Sequence, residues 1–96
     1  MTCLVCLPAL HEARRNLDRA RCHYTQAHNA LLNSREKLDQ VVDQAFQQQS
    51  FRPLAALFYE EEAALALCEQ AVARLAAAEE RWCAVRAALA IEEAMM

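Results

Sequence analysis

An apolar or aromatic side chain returns every seven residues from Leu10: Leu10, Leu17, Tyr24, Leu31, Leu38 and Ala45 form one unbroken column. Three residues beyond each step stand Ala13, Ala20, Ala27, Ser34 and Val41, a second column made almost wholly of small side chains. A seven-residue period of this kind keeps both columns on one stripe of an α-helix, and such a stripe needs a second helix to cover it. The second half of the chain supplies one. Leu54, Glu61, Cys68, Leu75, Trp82 and Leu89 form its large column, with Glu61 the single interruption, and Leu57, Ala64, Ala71, Ala78 and Val85 form its small column.

The two stripes do not share a phase, since continuing the first past Ala45 lands on Arg52, Tyr59, Ala66 and Ala73. One continuous helix would have to shift its seam there. Between the stripes lies Gln47-Gln48-Gln49-Ser50-Phe51-Arg52-Pro53, where Ser50 suits a helix cap and Pro53 a first helical turn. The expected fold is therefore all-α, an antiparallel two-helix coiled-coil hairpin with leucine and alanine heptad seams. Its expected divisions are an apolar tail over 1–8, helix one over 9–49, a turn over 50–52 and helix two over 53–95, with 9–95 forming one domain. Pairing positions whose numbers sum to about 105 makes the small columns coincide, Ala27 against Ala78, Ser34 against Ala71 and Val41 against Ala64. It also lays Glu79, Glu80, Glu92 and Glu93 beside the basic run from Arg14 to Arg21.

Composition fits this reading and narrows the function. The chain has no glycine and two prolines in 96 residues, a poor supply for β-turns and a good one for long helices. Its apolar content is 56% with only 6% aromatic, so it is suited to burying a seam and not a thick core. Residues 1–49 carry six basic and five acidic side chains, whereas 50–96 carry four and eight. That balance lacks the uncompensated basic face of a nucleic-acid binder, the Arg14–Arg21 cluster being the one candidate for such a surface. The longest apolar runs, such as Leu54 to Tyr59, stop far short of a membrane span, and the N-terminal segment lacks the basic start and length of a signal peptide. Five cysteines at scattered positions point to a reducing compartment, and a cytoplasmic location is expected.

Chemistry has few footholds in this sequence. Cys3 and Cys6, with His11 beyond them, have the ligand types of a zinc site, but no second pair stands at knuckle spacing. They support an alternative reading as a metal- or redox-responsive regulator built on the N-terminal Cys-x-x-Cys. His11-Glu12 opens like a zinc-protease helix but has no second histidine, and no Glu-x-x-His di-iron element is present. Ser34 and Ser50, the only serines, have structural readings as a seam residue and a cap. With no glycine there is no phosphate-cradling loop of the usual type. No enzymatic activity and no cofactor are expected.

The informative surplus is apolar. Val42, Phe46 and Phe51 near the end of helix one, and Phe58, Leu65 and Val72 beside the seam of helix two, extend the apolar face beyond what two helices can cover. A small domain with so much apolar surface needs burial by another chain. These six residues are the expected contact surface for a protein partner, for self-association into a larger helical bundle, or for both. The expected function is a non-enzymatic protein–protein interaction module: an adaptor, a chaperone or an oligomerisation unit. In length and seam pattern the chain resembles the small helical-hairpin chaperones and stalk proteins of bacterial type III secretion and flagellar export. That resemblance is one of architecture, with no shared motif, and it implies a bacterial secretion context.

Overall fold

The computed structural model describes residues 7–49 and 54–95. Two helices of 42 residues each, α1 (Leu7–Gln48) and α2 (Leu54–Met95), run antiparallel against one another in a rod of 74 × 16 × 13 Å. At 1.5 Å per residue each helix is about 63 Å long, so the rod is the hairpin lying along its own helices. The expected tail position Pro8 stands in the first turn of α1, where its missing N–H costs no helical bond. Ser50 and Pro53, expected as cap and first-turn residue, lie outside the described residues.

The seam is the one the heptads specify. Among the described residues every buried one belongs to one of the four columns: Ala13, Leu17, Ala20, Leu31, Leu38 and Ala45 on α1, and Leu54, Leu57, Cys68, Ala71 and Val85 on α2. Leu17 has no exposed surface at all, and Ala13 and Ala45 retain only 2% and 3%. A methyl group reaches barely beyond the backbone, so an alanine is covered this well only where the opposite helix comes close. Near the turn Leu54 and Leu57 pack with Leu38, Val41 and Ala45 in one cluster.

The register differs from the sequence expectation by one heptad. Lys37 Nζ meets Glu60 Oε2 at 3.7 Å, and the Arg14 guanidinium stands 5.6 Å from the centre of the Trp82 ring. Both pairs have numbers summing to 96 or 97, not to 105. Ala27 accordingly shares a cleft with Ala71, not with Ala78. A shift of about eight residues moves a side chain roughly 12 Å along the axis, too far for either contact to survive the expected pairing. The physical reason lies in the repeat itself: sliding one helix by seven residues again lays small column on small column, so periodicity alone cannot choose between the two. The return of the chain chooses, by bringing Leu54 back beside Ala45. With this register Glu79 and Glu80 still stand level with the basic run, at the heights of Asp18 and Leu17. Arg14 and Arg21 both turn to Asp18 of their own helix, at 3.4 and 3.9 Å. Exposed pairs of this kind contribute only about 0–1 kcal/mol each.

Without glycine, α1 ends on a residue that must itself adopt left-handed angles. Gln49 does so, with φ of 53°. A side chain at that position costs roughly 1–2 kcal/mol, which is why glycine is usual there. A second local cost lies in the seam, where the buried Ser34 Oγ has no hydrogen-bond partner.

Three expected outcomes follow from this geometry. Gln49→Gly raises stability by about 1 kcal/mol in thermal or denaturant unfolding, by relieving the left-handed turn. Ser34→Ala also stabilises by about 1 kcal/mol, since it removes an unsatisfied hydroxyl from the seam and leaves the better helix former; a destabilised variant would mean that the hydroxyl is bonded in solution. In a chain without its native thiols, cysteines at Ala27 and Ala71 close an intrachain disulfide under mild oxidation. The pair at Ala27 and Ala78 does not, and efficient closure of that second pair would restore the other register.

Candidate interaction surface

Successive helical residues are turned by 100°, so a residue four after a column position stands about 40° from it, beside the column. Val42 follows Leu38 by four, and Phe58, Leu65 and Val72 follow Leu54, Glu61 and Cys68 by four. All four therefore flank the large columns. The hairpin brings these two flanks to the same side, as the far half shows directly: Arg14, four after Leu10, and Arg86, four after Trp82, both stand over the Trp82 ring, at 5.6 and 5.7 Å. The opposite side carries the flanks of the small columns, where Lys37 and Glu60 pair.

On the large-column side the apolar residues concentrate in the half near the turn. Phe46 is 78% exposed and Phe58 49%, with Val42 and Val72 also exposed and Leu65 half-buried. Packing around the turn thus does not account for Phe46 or Phe58. Phe51 lies outside the described residues. Leu32, 48% exposed, belongs to the same surface and was not among the expected contacts. Its signal was available: it precedes Phe46 by two heptads, placing both on the outer edge of one flank. Between the flanks run Leu31, Leu38, Ala45, Leu54 and Cys68, so the surface is a largely apolar strip backed by the seam, interrupted by Glu61 in the large column of α2 and by Arg35 on the flank of α1. Half-buried His28 lies at its inner end, its ring stacked on Tyr24 with centroids 5.6 Å apart.

The far half also carries apolar surface. Leu7, Pro8, Leu10, His11, Arg14 and Trp82 line an open cleft of about 530 Å³ at the end of the rod. Leu7, Ile91 and Met95 are exposed beside this end. Its rim differs from the turn half, being set by the two arginines over Trp82 and by their neighbour Asp18.

Residues considered for chemistry are dispersed. His11 is exposed at the open-end cleft, and Cys3 and Cys6 lie outside the described residues. Among the described residues no group of three or more histidine, cysteine, aspartate or glutamate side chains is placed to hold a metal ion. Cys22 and Cys83 are exposed thiols, and Cys68 is buried in the seam as a small apolar side chain. No helix among the described residues is long and apolar enough to cross a membrane. No protein-family model matches the chain, and no match was found among curated proteins or among solved structures.

Proposed function

We propose that the protein is a non-enzymatic interaction module whose working surface is the turn-proximal strip of Leu32, Val42, Phe46, Phe58, Leu65 and Val72. One observation carries this reading: Leu32, Val42, Phe46, Phe58 and Val72 stand exposed on one side of a two-helix rod in which no third element among the described residues covers them. Burying an exposed phenylalanine or leucine contributes about 1.5–3 kcal/mol, so two or three such side chains offset much of the cost of association and support micromolar binding. A rigid helical strip with apolar anchors at heptad spacing is suited to another helix, by the same groove geometry that joins α1 to α2. Adaptor, chaperone and oligomerisation unit are three uses of that one capacity, in the cytoplasm of a bacterial cell on the architectural resemblance to secretion chaperones.

A photoreactive amino acid in place of Phe58 tests the surface in the native host. It is expected to cross-link to a protein, either another copy or a different chain, while the same probe at Glu80 on the outer face of α2 gives no specific product. Phe46→Glu with Phe58→Glu should remove the partner and leave helicity unchanged. A folded double variant that keeps its partner moves the working surface away from this strip.

A further inference from the structure

The strip leaves open what covers it, and its own charges and area answer this. We infer that the occupant is a second copy of the chain, laid face to face with both turns at the same end, so that each α1 lies on the other copy's α2 in a four-helix bundle. This inference rests on the strip being a protein-binding surface.

Area is the first argument. The hairpin exposes 7466 Å², whereas a compact monomer of its 10.8 kDa would expose roughly 5,500 Å². The rod shape gives this excess of about 2,000 Å², and one long face of it is large enough for the roughly 800 Å² that each partner contributes to a standard interface.

Charge selects the orientation. Over their helical spans α1 bears six basic and five acidic residues, and α2 bears three basic (Arg74, Arg81, Arg86) and eight acidic. Two symmetric face-to-face arrangements exist. With turns at opposite ends, each helix lies on its own counterpart, and Glu61 and Glu62 of both copies gather at the centre of the strip. With turns at the same end, each α1 lies on the acidic α2. Like charges directly opposed are destabilising, so the second arrangement is the favoured one.

Register supports the same arrangement. Within one hairpin, residues at equal height have numbers summing to about 97, as Lys37 and Glu60 do. A second copy with its turn at the same end repeats those heights. Leu32 then faces Leu65 of the second copy, Arg35 faces its Glu62, His28 faces its Glu69, and Val42 lies within a turn of its Phe58. Each pairing occurs twice by symmetry, Leu32 with Leu65 being apolar on apolar and Arg35 with Glu62 basic on acidic, while Asp39 stands level with Phe58.

The full chain tests this by mass in solution and by a distance. Sedimentation at micromolar concentration should give two chains. Spin labels attached through an unnatural amino acid at Arg15, on the outer face of α1, should lie about 30 Å apart across the bundle; turns at opposite ends would place them about 60 Å apart. Arg35→Glu should weaken dimerisation about tenfold, and adding Glu62→Arg should restore it; Arg35 is exposed, so the effect is separable from folding by helicity. A monomeric mass up to 100 times that concentration, a distance near 60 Å, or a charge reversal without effect overturns the inference. A monomer whose Phe58 probe cross-links to a different protein overturns it while leaving the interaction reading intact. A monomer with no cross-link removes both.

Discussion

The apposition of two small-residue columns is the contact on which the rest of this molecule depends. Ala13, Ala20 and Ala71 are buried although their side chains are single methyl groups, which requires the facing helix to lie close along the seam. That closeness replaces what a thick core would otherwise supply. It also fixes a division of labour within each helix, with the small column closing the gap and the large column filling the side of the gap that remains. A bulky substitution in the small columns would wedge the helices apart over more than one turn.

Close packing along one line has a consequence for everything off that line. Two helices share one interface, and a residue 40° to one side of it is already half in solvent. Phe58, Val72 and Val42 are in this position, and Leu32 and Phe46 stand farther round. In a three-layered protein the same side chains would be interior. Here they form a strip whose apolar character is not needed to hold α1 to α2. The charged half of the same side, with Arg14 and Arg86 over Trp82 and Asp18 between Arg14 and Arg21, satisfies its polar groups locally and makes a different kind of surface.

Sequence reasoning located the seam but not its alignment. Leu17, Leu31, Leu38, Cys68 and Val85 are identified as interior by their spacing alone, because a seven-residue period on a helix admits one buried stripe. The candidate surface was largely legible for the same reason, since Val42, Phe58, Leu65 and Val72 are fixed relative to the columns they flank. Leu32 is harder to read because it adjoins the column residue Leu31 and stands about 100° from that column, farther round than the flanking positions. The open-end cleft around Trp82 was not legible, because it arises from how two helix ends terminate against each other and not from a pattern within either.

Periodicity by itself determined that this chain is two helices, which faces they bury and why those faces are narrow. The missing glycines and the shift of phase near Ala45 determined that the helices are long and that the chain turns between them. Tertiary structure alone decided the register, because a heptad repeat matches itself again after every seventh residue and several alignments bury nearly the same columns. The way the chain returns after Gln49, with Leu54 set beside Ala45, breaks that degeneracy. From the register follow the pairs no single helix can specify, Lys37 with Glu60 and Arg14 with Trp82, and the heights at which the exposed side chains stand along the rod.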